Sequence, residues 1–412
     1  MTSTVTIESI AVGGDGVGHL DDGLVVFVPR AAPGDTLEVE VTQRKKRYAR
    51  GIVVAVSSPG AGRVEPRCPH YDADHCGGCQ LQHLSAEAQR DAKRKIVGDA
   101  IRRIAKLDVP DPEIVASPRQ WRYRGKVTLA VRRGRIGFRE FNQPDSVFCL
   151  DDCSLAREIV MDLWRLVNAN RALLPKALRS LVLKQDRVQG LHVIAVGGDQ
   201  AWDAEPMATA IRSNDLTYWW KPNGGAARVV SGANTGYPAV AFEQVNSELA
   251  AEIRETAVSS LGTPEGKVAW DLYGGVGDTA EILASMGATV WSVDSDRSAV
   301  EWGVEKSARE GNAGMSLTRV HDRVEEVVGR LPRPDLVVVN PPRGGLGEPL
   351  TRWLQNWGGS LSRARLAYVS CDPATLARDL ARMPAFGLRK LVSYDLFPQT
   401  GHVETLAVLE VA

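Results

Sequence analysis

The sequence predicts an α/β protein whose C-terminal part folds as a doubly wound, Rossmann-like sheet, preceded by a small β-barrel and a mixed α+β region. From residue 236 onward, short apolar runs rich in β-forming residues alternate with helix-like segments. The first 60 residues instead alternate apolar and polar positions between glycines, a pattern typical of short strands joined by turns. We therefore divide the chain into residues 1–60, 61–235 and 236–412.

The N-terminal region contains three candidate strands. Leu37, Val39 and Val41 alternate with polar residues, and the runs 25–28 and 52–56 are rich in valine. Small barrels such as the OB-fold often bind nucleic acid through one face and its loops. This region is therefore a candidate for nucleic-acid binding.

The two following regions differ in their pattern. Residues 61–235 combine a basic amphipathic helix at 85–106, a helix near 155–169, and strands at 127–131 and 191–196. In residues 236–412 the predicted strands follow a strand–helix alternation; they lie at 268–272, 290–293, 336–339, 366–369 and 405–409. Doubly wound sheets bind ligands beyond the carboxyl ends of their strands, so we expect the functional residues there.

The charge distribution indicates a polyanionic partner. Although the net charge is zero, residues 1–150 carry 23 Lys and Arg against 18 Asp and Glu. Basic residues are dense in Arg44–Arg47, and from Ile114 to Arg139 there are eight of them and no acidic residue. Two such runs in one part of a chain favour an RNA or another polyanion over a merely solvated face.

The sequence gives no indication of a membrane protein. No apolar run approaches the roughly 20 residues of a membrane-spanning helix, and the N-terminus has no export-signal pattern. We expect a cytoplasmic monomer.

The cysteines suggest a metal site rather than disulfide bonds. Six cysteines in 412 residues without an export signal do not form a disulfide framework. Cys68, Cys76 and Cys79 are clustered, and Cys153 or Cys149 supplies a fourth thiolate. Four thiolates suit structural zinc and an iron–sulfur cluster equally well.

A glycine-rich loop indicates a nucleotide cofactor. Residues 271–278 follow a strand and precede a helix that begins near Thr279. Asp294 ends the next strand, 23 residues after Asp271, where a carboxylate can accept hydrogen bonds from ribose hydroxyls. Because Gly275-x-Gly277-x-x-Ala280 also fits the dinucleotide pattern, the loop by itself suits either NAD or S-adenosylmethionine.

A second strand end distinguishes these two cofactors. Asn340-Pro-Pro-Arg343 follows the strand at 336–339, so rigid prolines leave the Asn340 amide facing the ligand crevice. An isolated Asn-Pro-Pro is as often a plain turn. At the end of a strand in a nucleotide-binding sheet it favours methyl transfer to a nucleobase, because hydride transfer has no use for it.

Two further residues suggest covalent chemistry on a pyrimidine. Cys371 follows the strand at 366–369, where a thiolate can add to carbon 6 of a uracil and make carbon 5 nucleophilic. The proton on carbon 5 must then leave, and Glu404, just before the last strand, is the candidate base, with His402 as the alternative.

With these motifs the chain resembles the 5-methyluridine RNA methyltransferase family, whose members act on transfer or ribosomal RNA. The resemblance covers nearly the whole chain and identifies residues 1–60 as an RNA-binding TRAM domain. It implies S-adenosylmethionine as cofactor, Cys371 as nucleophile and Glu404 as base. The motifs occur in the family's order: residues 241–246, 271–277, 340–343, 370–380 and 397–404.

The resemblance also implies which residues bind the cofactor and a metal. Cofactor contacts are expected from Gln244, Tyr273, Asp294 and Asn340. Family members of similar layout carry a [4Fe-4S] cluster on four cysteines, here Cys68, Cys76, Cys79 and Cys153.

The chain departs from the family pattern at three positions. Asn340 stands where Asp is frequent, Asp372 where Asn usually follows the nucleophile, and Asp278 where Asn is frequent in the glycine loop.

Two other functions compete with RNA methylation. A NAD-dependent oxidoreductase would leave Cys371 and the basic runs without roles. A non-catalytic RNA-binding protein would have no need of Cys371 and Glu404. The residues identify neither the RNA nor the uridine.

Overall fold

The structure, a computed structural model, describes residues 2–213, 215–233, 236–311, 314–360 and 364–411. The N-terminal strands close into a barrel in the order β1-β2-β3-β5-β4. These are β1 Thr2–Ile10, β2 Gly16–His19, β3 Val25–Val28, β4 Thr36–Arg44 and β5 Ala49–Ser58. Alternate residues such as Leu37 and Val39 point into its apolar core. The predicted small barrel is confirmed.

The cysteine-rich segment and a long helix connect the barrel to the rest of the chain. They contain α1 Pro69–Asp72, α2 Ala86–Ala100, a π-helical turn Ile101–Ala105 and strand β6 Glu113–Val115. Helix α2 begins after Ser85, whose side chain accepts a hydrogen bond from the Ala88 amide. The helix predicted at 85–106 is therefore present. It buries two polar residues, Gln89 and Lys93, that the amphipathic pattern did not predict.

The middle of the chain forms a six-stranded sheet covered by a helix. Its strands are β7 Lys126–Arg132, β8 Arg135–Gly137, β11 Ser180–Gln185, β12 Leu191–Val196, β13 Leu216–Lys221 and β14 Arg228–Gly232, and a separate pair is β9 Arg139–Glu140 with β10 Gln143–Val147. The order is β14-β13-β12-β11-β7-β8. The helical segments are α3 Glu158–Ala169, the 3-10 turn Arg171–Leu173 and α4 Glu205–Ile211. Leu163 and Trp164 of α3 pack on the sheet.

The C-terminal region is a doubly wound α/β sheet with the order β17-β16-β15-β18-β19-β21-β20-β6. Its elements are α5 Ser247–Ser260, β15 Val268–Leu272, α6 Asp278–Ser285, β16 Thr289–Asp294, α7 Arg297–Arg309, β17 Leu317–His321, α8 Val324–Val327, β18 Leu336–Val339, α9 Glu348–Gly358, β19 Arg365–Ser370, α10 Pro373–Ala381, β20 Phe386–Tyr394 and β21 Glu404–Val411. The five predicted strands are confirmed. Strands β17 and β20 were not predicted, and β6 reaches this sheet from the middle region.

The central strands β15, β18, β19 and β21 each contribute to two apolar cores. Within β18, Val337 and Val339 face one core, whereas Leu336 and Val338 face the other. Helices α9 and α10 cover the first face, and α5 and α6 cover the second. Because both faces are buried, these strands consist almost entirely of apolar residues.

Among the described residues, no helix combines the length and the apolar character needed to cross a membrane.

Candidate active site

The topology brings the predicted site residues to one edge of the C-terminal sheet. Strands β16, β15, β18 and β19 are parallel neighbours, so the residues that follow them lie side by side. Strand β21 runs antiparallel to β19, with Ser370 opposite Thr405. The end of β19 and the start of β21 therefore meet at the same edge. This register makes Cys371 and Glu404 neighbours.

A cavity of about 850 Å³ opens along this edge. All the residues predicted for catalysis and cofactor binding line it: Gln244, Tyr273, Asp294, Asn340, Cys371 and Glu404. Following the strand order, Asp294 lies toward one end and Cys371 with Glu404 toward the other. The cavity can hold two ligands side by side, and its volume is within the range of small-molecule sites.

The Asp294 end is built from backbone groups of the glycine loop. The Asp294 carboxylate accepts hydrogen bonds from the amides of Gly275 (2.8 Å) and Asp296 (2.7 Å). A Cβ on Gly275 would meet no atom within 4 Å, so the loop leaves open space beside this carboxylate. Tyr273 has a positive φ of 61°, a conformation unusual for a side chain larger than glycine and often found at ligand sites. The loop thus forms an open cradle suited to a nucleoside.

Two buried contacts fix this loop. The Asp271 carboxyl is buried, which raises its pKa to about 7, and it accepts a hydrogen bond from the Ser292 hydroxyl. A Cβ on Gly274 would collide with Asp271 and Ser292, so only glycine fits there. The Tyr273 hydroxyl donates to Glu325 at 2.8 Å. Glu325 lines the cavity but was missed, because nothing in the local sequence distinguishes it from a solvated helix residue.

At the other end the two candidate catalytic groups differ in exposure. Glu404 is 1% exposed, and burial raises its pKa to about 8. Among the described residues, its Oε2 atom has no hydrogen-bond partner. Cys371 is partly exposed to the cavity. Burial raises the pKa of its thiol, the nearby Glu404 raises it further, and the Arg343 guanidinium lowers it. This end can present a thiol and a carboxyl to one small ring.

His402 and Arg343 lie together at the same end. The His402 Nε2 atom is 3.5 Å from an Arg343 Nη atom. Burial lowers the pKa of His402 to about 4, and Arg343 adds to this effect, so the imidazole is neutral near pH 7. The Asn-Pro-Pro-Arg motif predicted no role for Arg343, yet its guanidinium is a cation beside the thiol.

The segment before Glu404 is held by buried polar contacts from α2. The Lys93 ammonium donates to the Asp395 carboxylate at 2.5 Å and to the Phe397 carbonyl at 2.9 Å. Both charged side chains are completely buried. The Gln89 amide group exchanges two hydrogen bonds with Gln399, at 2.8 and 2.9 Å. Sequence reasoning missed these residues, since their partners are about 300 positions away.

Two departures from the family pattern have structural roles. The Asp372 side chain accepts a hydrogen bond from the Thr375 amide at 2.8 Å and so caps α10 directly after Cys371. Asp278 pairs with Arg187 at 2.5 Å, and Arg187 also binds Glu243 at 2.9 Å. The Glu243–Gln244 segment is thereby tied to the start of α6.

The four predicted cysteine ligands lie near one another beside the cavity. Cys68 and Cys79 share an apolar cluster with Cys153, which also contacts the cluster containing Cys76. Burial raises the pKa of Cys76 to about 11 and that of Cys79 to about 12, so their thiolates would need a cationic partner. Cys149, the alternative fourth ligand, is exposed.

These cysteines are not arranged as a finished metal site. Across the residues that the structure describes, no group of three or more His, Cys, Asp and Glu side chains is placed to hold a metal ion. The turn between Cys76 and Cys79 nevertheless forms part of the wall of the main cavity, because Gly77 and Gly78 line it. The amides of Gln80 and Leu81 donate to the Gln399 carbonyl.

The site combines a doubly wound sheet, an open glycine loop, an acidic residue at a strand end and an Asn-Pro-Pro motif in the crevice. Together these features define the class of S-adenosylmethionine-dependent methyltransferases. Comparisons with known proteins agree. Residues 2–54 match the TRAM domain, and residues 233–411 match the tRNA (uracil-5-)-methyltransferase family.

Two curated relatives match this chain over nearly the whole length of both proteins. A 23S rRNA (uracil(1939)-C(5))-methyltransferase of Shewanella amazonensis is 31% identical, covering 94% of this chain and 91% of its own. An uncharacterized RNA methyltransferase of Corynebacterium efficiens is 32% identical over 99% of this chain and 94% of its own.

A solved structure agrees as well. The tRNA (uracil-54, C5)-methyltransferase of Pyrococcus abyssi, in complex with S-adenosyl-L-homocysteine, is 25% identical and covers 99% of both chains with a TM-score of 0.76. The chain belongs to the RNA (uracil-5-)-methyltransferase family. It is an S-adenosylmethionine-dependent enzyme. This excludes the two competing functions, NAD-dependent oxidation or reduction and RNA binding without catalysis.

Proposed function

We propose that the target uracil lies between Cys371 and Glu404, with the cofactor over the glycine loop. The observation that carries this proposal is the register of β19 and β21, which sets Ser370 opposite Thr405 and so makes a thiol and a buried carboxyl neighbours. In this proposal, Asp294 accepts hydrogen bonds from the ribose. Gln244, Tyr273 and Asn340 line the cavity between that position and the uracil.

In the proposed reaction, the Cys371 thiolate bonds to carbon 6 of the uracil and turns the ring into an enolate. Carbon 5 then takes the methyl group that S-adenosylmethionine supplies. Glu404 accepts the proton from carbon 5, and the electrons of that C–H bond re-form the C5–C6 double bond. The bond from carbon 6 to the Cys371 sulfur breaks, and the thiolate leaves.

The surroundings of Cys371 support this role. Its nucleophilic form is the thiolate, and Arg343 is the nearby cation that favours it. His402 is neutral and also lines the cavity, so it stays the alternative base.

A mechanism-based trap tests the covalent step. In RNA containing 5-fluorouridine, carbon 5 carries no removable proton, so methylation should leave the RNA attached to Cys371. We expect a band of shifted mobility on a denaturing gel that requires S-adenosylmethionine. Cys371→Ser should form no such band; a band of equal intensity from that variant would refute the assignment of the nucleophile.

We propose 23S ribosomal RNA as the substrate, because several relatives that match this chain over nearly its full length carry that activity in their names. Transcripts of 23S RNA and of transfer RNAs, methylated by the purified enzyme and digested, should show 5-methyluridine in the ribosomal transcript. Methylation of transfer RNA alone would contradict the proposal.

The exposed run Arg44–Arg47, at the turn between β4 and β5 of the barrel, is a proposed contact to RNA phosphates. Replacing these residues by Glu should weaken RNA binding and reduce its dependence on salt. Binding of S-adenosylmethionine should not change. Unaltered RNA affinity in this variant would show that the run is only a solvated turn.

We propose that Cys68, Cys76, Cys79 and Cys153 hold a [4Fe-4S] cluster. Support comes from four neighbouring thiols in an apolar pocket, where thiolate charge needs compensation. A bound cluster would cross-link the cysteine-rich segment to the wall of the main cavity. Anaerobically purified protein should contain iron and sulfide, and Cys79→Ser should lose both, whereas Cys149→Ser should keep them. Stoichiometric zinc would refute the choice of metal.

A cytoplasmic location, a monomeric state and the boundaries at residues 60 and 235 stay predictions.

A further inference from the structure

A second, much smaller cavity lies behind the proposed catalytic site. Its volume is about 30 Å³. Gln244, Asn340 and Glu404 line this cavity and the main one as well, so they form the wall between the two. The side away from the main cavity is formed by the buried face of α5, including Ala250, and by Thr279 at the start of α6.

The size and lining of this rear cavity suit an ordered water molecule. A cavity that holds one water needs at least about 10–15 Å³ and two to four polar partners. Carboxyl, amide, hydroxyl and guanidinium groups are all available from Glu404, Asn340, Gln244, Thr279 and Arg254. Glu404 is 1% exposed and its Oε2 atom has no partner among the described residues. A buried carboxyl oxygen normally has a hydrogen-bond partner.

The proposed reaction gives such a water a task. Glu404 must reach the proton-transfer step as a carboxylate, although its burial favours the protonated acid. During that step the target uracil and the cofactor occupy the main cavity and separate Glu404 from solvent on that side. The proton on Glu404 therefore needs another exit.

We propose that the rear cavity holds a water that relays protons between Glu404 and solvent; this inference rests on the proposed role of Glu404. The water accepts the proton from the carboxyl group and passes one of its own outward, so no charge accumulates in the wall. The Thr279 hydroxyl is its second partner. Arg254 marks the outer end, because its side chain is 28% exposed and lies 3.8 Å from the partly buried carboxylate of Asp278.

Filling the cavity tests the proposal. Ala250→Val adds two methyl groups that occupy most of the space, and Ala251→Val places the same change on the same helix away from the cavity. With ribosomal RNA tritiated at carbon 5 of uridine, Ala250→Val should release tritium about tenfold more slowly than Ala251→Val. It should also accumulate a methylated covalent protein–RNA adduct. Equal release rates in the two variants would overturn the relay.

The 5-fluorouridine trap separates failure of the relay from failure of the proposed function. Trapping involves no proton removal, so Ala250→Val and Ala251→Val should trap this RNA at the same rate. If neither variant nor the wild type traps it, the covalent mechanism itself is wrong. If Ala250→Val alone fails to trap, the substitution has damaged the site instead, and the relay is rejected as its explanation.

Thr279 provides an independent test that does not fill the cavity. Thr279→Val removes the hydroxyl while keeping the shape, and should slow tritium release. Thr279→Ser keeps the hydroxyl and should restore the wild-type rate. Wild-type release by Thr279→Val would show that the hydroxyl takes no part in the proton transfer, which contradicts the relay.

Discussion

The two ends of the catalytic cavity are built in different ways. At the proposed cofactor end, Tyr273, Gly275 and Asp294 come from two consecutive strand–helix turns, and their contacts join residues at most some 50 positions apart. At the base end, the segment before Glu404 is held by Gln89 and Lys93, which are about 300 positions away. The first end is a local motif, and the second is a product of the complete tertiary fold.

This difference determines what a substitution does at each end. Backbone amides and glycines form the proposed cofactor cradle, so a change to one side chain there, other than a substitution of the tightly packed Gly274, leaves most of the cradle in place. The base end depends on buried charges and on one antiparallel register, so a change there disturbs both catalysis and folding.

The largest effects are expected for the two proposed catalytic residues. Cys371→Ala should abolish turnover, because the enolate never forms. Glu404→Gln should slow turnover by about 10²- to 10⁴-fold, yet it should still methylate the ring and then accumulate a covalent adduct that carries the methyl label. Gel analysis with labelled S-adenosylmethionine distinguishes the two. Normal turnover by Glu404→Gln would transfer the base role to His402.

A large effect is also expected where the base end is anchored. Lys93→Met leaves Asp395 charged and unpaired in the interior, and we expect a loss of about 3–5 kcal/mol in the free energy of unfolding. The double variant Lys93→Met/Asp395→Leu removes both charges and should recover most of this stability. Its turnover should stay low, because the Phe397 carbonyl has lost its hydrogen bond from Lys93 and keeps only those from Thr400, so Lys93 no longer ties this segment to α2. Full activity in the double variant would show that the pair is only structural.

The cofactor end should respond more weakly and more selectively. Asp294→Ala removes the proposed acceptor for the ribose hydroxyls, and we expect KM for S-adenosylmethionine to rise about 10- to 100-fold, as for the loss of hydrogen bonds to a charged group. The Kd for RNA should not change. Asp322→Ala is the matched control, since Asp322 follows the neighbouring strand β17 and pairs with Arg330 instead. Equal KM values for the two variants would argue against ribose binding by Asp294.

The sequence predicted the strands and the loop around the proposed cofactor site better than the contacts around Glu404, for the same reason. The sequence signals for this part of the chain are local: the alternation of strands and helices, the glycine loop and Asp294. Local patterns also predicted the barrel and five strands of the large sheet. Pairing of β21 with β19 is not local, so the position of Glu404 beside Cys371 required the family resemblance. A buried lysine such as Lys93 looks the same in sequence as a solvated one.

A smaller effect concerns stability at the base end. The pKa of Glu404 is about 8 in the folded protein against an ordinary value of 4.5. Between these values the folded state holds a proton that the unfolded chain has lost, so the contribution of Glu404 is fully present below pH 4.5 and is lost as the pH rises through 8. Glu404→Gln cannot lose that proton. At pH 8.5 it should gain on the order of 2 kcal/mol relative to the wild type, compared with the same difference at pH 6.5. Urea unfolding at both pH values measures this. Glu255→Gln, a change at an exposed position on α5, is the control and should show no such difference in stability between the two pH values. If the stability difference between Glu404→Gln and the wild type did not depend on pH, Glu404 would be ionised at an ordinary pKa.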